Sequence, residues 1–198
     1  MMTNLVILGN DKIGGSAYEK LLLFQNLDIV IDRSANLNRI LTLIKKKRIR
    51  LGLVFKMCWS EFVRKGCKPP RNIKSIRSNA DLQQQINQAA YAKIYLFRAG
   101  LIVSNSLIRT GVQIMNIHAA KVPEYGGIGS IDRALNDQSF NQFASLHIVT
   151  SKIDEGQVLD REAYILDPQK SYFKNEEIAY AAAISLLFRT IEKSFLKP

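Results

Sequence analysis

A chain of 198 residues, 47% hydrophobic and 23% charged, has the size and balance of one ordinary globular domain with a real core, and is short for two. No apolar run approaches the length of a bilayer span and no basic segment precedes an apolar signal core, so the expectation is a cytoplasmic protein without a membrane partner. Cys58 and Cys67 have no nearby His to complete a metal set and read as reduced thiols. The net charge of +11 favours anionic partners, but it does not choose among nucleic acid, phosphorylated metabolites and membrane surfaces.

Leu5-Val6-Ile7-Leu8, ended by Gly9-Asn10-Asp11, reads as a buried first strand and a loop, with a helix over roughly 15–24. Such an opening often seats a phosphate at the helix N-terminus. Residues 9–15 nevertheless match neither a P-loop nor a dinucleotide fingerprint, which argues against a nucleotide-binding oxidoreductase. A second strand is expected at 28–32. A helix at 36–44 follows, with Leu37, Ile40, Leu41 and Ile44 on one face. The basic run from Lys45 to Arg50 complements the dipole at that helix's end as well as it suits a ligand. Residues 51–55 read as a third apolar strand and 59–64 as a helical turn or two, with Trp59 in the core. The further cations between Arg64 and Arg77 lack the regular aromatic interleaving of a single-strand binder.

After the Pro69-Pro70 loop, a helix at 80–90 and a strand at 92–96 are expected. The strand runs into Phe97–Ile102, the carboxyl end at which open α/β sheets place ligands. A short helix after Ser104 leads to a central strand at 112–118, and a helix with Ser130 as N-cap follows. Strands at 145–150 and 157–166 flank a turn at 153–156, and residues 175–193 read as a helix docked on the sheet. Alternating strands and helices imply a single α/β domain over 1–198. It is Rossmann-like and three-layered, with a mostly parallel sheet, helices on both faces and a C-terminal helix.

The chemistry concentrates at Asn116-Ile117-His118. On a strand, residues two apart share a face, so Asn116 and His118 project together. Pro123-Glu124-Tyr125-Gly126-Gly127 follows as rigid irregular backbone, and Ile153-Asp154-Glu155-Gly156 lies further on. Acyl transfer to an amine needs this set: an Asn amide to donate to an oxyanion, a His to move or stabilise a proton, and an Asp to orient the His or relay the proton. His147, between Leu146 and Ile148, reads as a satisfied core residue.

The same stretches, with His118 and Asp154 separated by 36 residues, resemble the core of the formyltransferases that use 10-formyltetrahydrofolate, most clearly over 96–166. That family includes the glycinamide ribonucleotide, methionyl-tRNA and nucleotide-sugar enzymes. The resemblance implies that Asn116, His118 and Asp154 are catalytic and that no metal is required. It places the folate against the backbone of Arg98, Ala99, Gly100, Leu101 and Ile102, with Gly156 nearby, and the acceptor against Tyr125, Gly126 and Gly127; Asn10, in the strand–loop–helix opening, is a further candidate contact for the acceptor's phosphate or sugar. The chain departs from the family's pattern at Ala119-Ala120, commonly Pro-Ser, and at Gly126, commonly Arg or Pro. It also lacks the Gly-Ser-Gly-type phosphate loop of the glycinamide ribonucleotide enzymes, and its length leaves no room for the extra C-terminal domain of the methionyl-tRNA enzymes. The expected acceptor is therefore an amine of another phosphorylated small molecule, a nucleotide-linked amino sugar first. A glycinamide ribonucleotide-type enzyme and an inactive module binding anions such as RNA stay as alternatives, and a homodimer stays open.

Overall fold

The computed structural model describes residues 3–34, 37–46 and 49–196. Strand β1 (Thr3–Gly9) is the centre of the sheet, and its Leu5, Val6, Ile7 and Leu8 are wholly buried. An unbroken apolar run is what a strand covered on both faces requires. Val6 and Leu8 enter one core while Leu5 and Ile7 enter the other, as alternating side chains must.

Parallel partners flank β1: β2 (Leu27–Asp32) on one side and β4 (Tyr91–Phe97) on the other. Beyond β2 lies the two-residue β3 (Ser75–Ile76), and beyond β4 lies β5 (Gln113–His118), both parallel. Two antiparallel strands complete the sheet, β6 (Asn141–Ile148) and β7 (Val158–Ile165), in the order β3-β2-β1-β4-β5-β6-β7.

One face is covered by α1 (Lys12–Leu21), α6 (Ser130–Asn136) and α7 (Tyr172–Leu196), through Ile13, Ala17, Ile131, Ala183 and Leu187. The other is covered by α4 (Asn79–Gln88), through Leu82, and by the single turn α5 (Asn105–Ile108), through Leu107. Asn116 and His118 share strand parity with Ile114, which belongs to this second core. With only four residues in α5, the carboxyl ends of β4 and β5 stay open on that side. Among the described residues, no helix is long and apolar enough to cross a membrane.

Two expectations are corrected between β2 and β3. A helix, α2 (Leu37–Lys45), stands where one was expected, although Asn36 and part of the basic run lie outside the described residues. Residues 51–55 are not a strand but the start of α3 (Leu51–Val63). The helix runs for thirteen residues, longer than an ordinary strand, and Leu53 and Ser60, seven apart, bury one helical face. Trp59 falls on the opposite face, 54% exposed rather than in the core.

Smaller differences sit at element ends. α1 begins at Lys12, earlier than expected, because the Asp11 carboxylate accepts the Gly14 amide at 2.8 Å and caps the helix. Ser130 is the first helical residue of α6 rather than its cap. Gly129 takes the cap position at φ 78°, and a Cβ there would stand 2.5 Å from the Leu53 side chain.

Candidate active site

β5 delivers Asn116 and His118 to the open carboxyl edge, and β6 runs antiparallel beside it with Asn116 paired to His147 and His118 to Ser145. The following Ala119 and Ala120 are buried. The Tyr164 hydroxyl donates to the Ala119 carbonyl at 2.5 Å and Ser145 Oγ to the Ala120 carbonyl at 3.1 Å. The chain leaves the strand through a cis Val122-Pro123 bond into the loop that ends at Gly129. Arg133 of α6 pins this loop, donating to the carbonyls of Gly126 and Ile128. The β6–β7 connection then folds back over β5 and brings Asp154 to the same point.

Asp154 is the hub. Its Oδ2 accepts the Gly127 amide at 2.7 Å and lies 3.5 Å from His118 Nδ1. Its Oδ1 lies 3.3 Å from Asn116 Nδ2 and 3.4 Å from His147 Nε2. Asp154 sits at φ 55°, a left-handed conformation uncommon outside glycine, and several partners hold it there. Burial alone would raise its carboxyl. The hydrogen bond to His147, the His118 ring and the Gly127 amide overturn that and hold it well below the usual carboxylate range. Asp154 is a standing anion.

His118 has oxygen acceptors at both ring nitrogens, the Tyr125 carbonyl 3.0 Å from Nε2 and Asp154 at Nδ1. Burial depresses its pKa, and Asp154 and the Tyr125 carbonyl oppose that shift without cancelling it. The ring is therefore neutral near pH 7, in surroundings that satisfy both nitrogens once it takes a second proton. This is the electrostatic setting of a general base.

The cleft above these groups has a volume of about 340 Å³. Residues 98–103, 127–131 and 149–154 line it, together with Tyr172, Glu176 and Tyr180 of α7. Asn116, His118, Asp154, Gly127 and the whole run Arg98–Ile102 line it. Asn10, Tyr125, Gly126 and Gly156 do not. Asn10 lies in a separate groove with Arg33, Lys68 and Arg71. Tyr125 acts through its carbonyl on His118. Gly126 makes room for Asp154, since a Cβ there would stand 2.9 Å from the Asp154 Cβ, and Gly156 lies against the Ile148 carbonyl.

Within the 98–102 run, two contacts bind the wall to the protein itself. The Leu101 amide is held by Asp32 Oδ2 at 2.7 Å. Arg98, at φ 60°, turns its guanidinium inward: Nε bonds Asp11 Oδ2 at 2.6 Å, Nη1 bonds the Tyr180 hydroxyl, and Nη2 lies 3.7 Å from Glu176. Glu176 also accepts from the buried Arg64 at 2.6 Å. Burial pushes the Glu176 carboxyl above its ordinary range despite both guanidiniums. Because the Asp11 carboxylate occupies the N-terminus of α1, that helix end does not offer the phosphate seat its strand–loop–helix pattern suggested.

Sequence reasoning missed His147 as a site residue. It is buried as expected, with Nδ1 bonded to the Ile148 carbonyl at 3.1 Å, but Nε2 faces Asn116 at 3.1 Å. Only the antiparallel register puts it there. The α7 wall was missed as well, because the helix was expected to start at 175; the signal that could have found it is that Tyr172, Glu176 and Tyr180 recur every four residues, one face of a helix. Among the described residues, no group of three or more His, Cys, Asp or Glu could hold a metal ion.

No family model matches the chain, and no curated protein is found to be similar. Solved structures are. The phosphoribosylglycinamide formyltransferase of Streptococcus pneumoniae shares 20% identity, with 98% of this chain covering 99% of that one at a TM-score of 0.65. A likely sugar N-formyltransferase of Mycobacterium tuberculosis shares 12% identity, with 97% of this chain on 67% of that one and a TM-score of 0.67. The N-formyltransferase of Helicobacter canadensis, solved with folinic acid and dTDP-3-aminofucose, also shares 12%, with 98% of this chain on 64% of that one and a TM-score of 0.65. The chain has the formyltransferase fold, at the full length of the first protein and about two thirds that of the other two.

Proposed function

We propose that the chain transfers a formyl group from 10-formyltetrahydrofolate to a primary amine of a phosphorylated small molecule. The observation that carries this is the convergence of Asn116, His118 and Asp154 in a cleft that the 98–102 run also lines. Its volume falls in the range of about 300–1,000 Å³ usual for small-molecule sites. Apolar Leu96, Ile102, Val103 and Ile153 provide a surface suited to the flat ring of a folate. The co-substrate supplies an activated formyl carbon, and the residues supply the rest.

As the acceptor nitrogen bonds to that carbon, Asn116 Nδ2 gives up its long 3.3 Å contact with Asp154 and donates to the developing oxyanion. His118 takes the amine proton at Nδ1, where Asp154 Oδ2 receives the new N–H. Asp154, itself never protonated, holds the imidazolium in place. His118 then returns the proton to the folate nitrogen as its bond to the formyl carbon breaks. The acceptor we favour is a nucleotide-linked amino sugar, because Asp11 takes the Gly14 amide at the N-terminus of α1, the helix end that would otherwise receive the terminal phosphate of a glycinamide ribonucleotide.

The test is calorimetric titration with a stable folate analogue, followed by formylation assays with 10-formyltetrahydrofolate and a panel of nucleotide amino sugars and ribonucleotide amines. Folate binding retained in Asn116→Ala/His118→Ala, with turnover lost, is expected, since these groups act on the transition state. A folded protein that binds no folate refutes the reading.

A further inference from the structure

Half of the chain's cations stand in one quarter of its length. Residues 33–80 contain fourteen of the 28 Lys and Arg but only Glu61 of the 17 acidic residues, a net +13, and the remainder of the chain carries −2. The same stretch contains α3, whose outward face is apolar: Leu51, Phe55, Trp59 and Phe62 are 70%, 70%, 54% and 75% exposed. Their spacings of four, four and three place them on one side of the helix, opposite buried Leu53 and Ser60. The Trp59 and Phe62 rings pack together at 5.9 Å, so the side chains form a ridge rather than isolated points. Exposed Lys45, Lys46 and Arg50 precede the helix, and exposed Lys65 and Lys68 follow it.

We propose that this face of α3 docks on an anionic lipid surface, with the helix lying flat, the ridge sunk to the acyl boundary and the flanking cations against the headgroups. Charge complementarity selects the occupant. A second copy of the chain meeting this face about a two-fold axis would bring the +13 segment against itself. Single-stranded nucleic acid stacks its bases on separate open rings along a cationic groove. Here two of the rings pack on each other, and Leu51 extends the ridge with aliphatic surface that only hydrocarbon uses. Apolar insertion and cationic attraction together are the two signals that stable surface binding requires. Docking leaves the cleft on the protein side of the same helix, since Met57 lines it and Leu53, opposite the ridge, packs over Gly129.

Trp59 is the only tryptophan, so it reports on the ridge directly. The full chain is titrated with vesicles of phosphatidylcholine alone and with about one third phosphatidylglycerol, following Trp59 emission and co-sedimentation. A blue shift and sedimentation with the anionic vesicles only, weakening as salt rises, are expected. Lys45→Ala/Lys46→Ala lowers the apparent affinity about 25-fold, about fivefold per cation. Phe55→Ser/Phe62→Ser lowers it at least about tenfold with an unchanged circular dichroism spectrum, since both rings are largely in water already. The proposal is overturned by vesicles that leave Trp59 unshifted. It is equally overturned by a shift that follows protein concentration without lipid, which indicates a second copy, or by one given by an RNA oligonucleotide and not by vesicles.

Discussion

Replacing Glu176 by Leu tests the internal frame of the cleft without any substrate. Glu176 is 2% exposed and is the only carboxylate within 4 Å of the Arg64 guanidinium among the described residues. Without it, Arg64 stays buried as an uncompensated cation, a change that costs about 3–5 kcal/mol. Arg98 loses less, because Asp11 and Tyr180 still hold it. Arg64→Leu should cost only about 1–2 kcal/mol, since Glu176 keeps Arg98 at 3.7 Å. The raised carboxyl of Glu176 shows that burial already outweighs its two ion pairs. The double variant Arg64→Leu/Glu176→Leu should therefore lie within about 1 kcal/mol of Arg64→Leu, a coupling of at least about 2 kcal/mol. Urea unfolding followed by circular dichroism measures this: with a slope of about 2–3 kcal/mol per molar, Glu176→Leu lowers the midpoint by about 1–2.5 M. A single variant within about 0.5 kcal/mol of wild type, or a double variant equal to the sum of the singles, refutes the network.

Four further outcomes concern the Asp154 hub proposed to be catalytic. Asp154→Asn removes an anion 3.5 Å from His118, worth on the order of 4–5 kcal/mol at an effective dielectric of about 20, so formylation should fall about a thousandfold; a loss below about tenfold would exclude Asp154 as the partner of the proton-bearing ring. The depressed His118 value keeps the base neutral below its ordinary 6.5, so the acid limb of kcat/KM lies below that pH and moves lower still in Asp154→Asn; a limb above 6.5 in the wild type contradicts the assignment. In the fold itself, the Asp154 carboxyl lies below its unfolded value of 3.8. Its stabilisation is complete well above that pH and is lost as the pH falls toward the folded value, so urea midpoints of wild type and Asp154→Asn should converge below about pH 3. Gly126→Ala pushes a Cβ to 2.9 Å from that of Asp154; turnover should fall about 10–100-fold while the unfolding midpoint moves little, and wild-type turnover would show that the loop yields freely.

What the sequence determined by itself is local in origin. Short apolar runs and their breakers were enough for β1, β4 and β5, and strand alternation was enough for the Asn116–His118 face, because it is a property of the backbone. The order of Asn, His, Pro-Gly loop and Asp was sufficient to nominate the trio. The helical spacing of Tyr172, Glu176 and Tyr180 was there to be used. Where local pattern was ambiguous, it misled: the apolar opening of α3 suits a strand or a helix equally over five residues, and only its burial on one side decides.

The tertiary structure decided everything that depends on two distant segments meeting. His147 became a neighbour of Asn116 through antiparallel register, Gly126 a necessity through the closeness of Asp154, and Asp11 an ion-pair partner of Arg98 from 87 residues away. The phosphate seat implied by strand, loop and helix disappeared for the same reason, since the charge that fills it is the chain's own carboxylate, held by a guanidinium from another strand. Through-space electrostatics and packing have no period along the chain, so no reading of residues in order contains them.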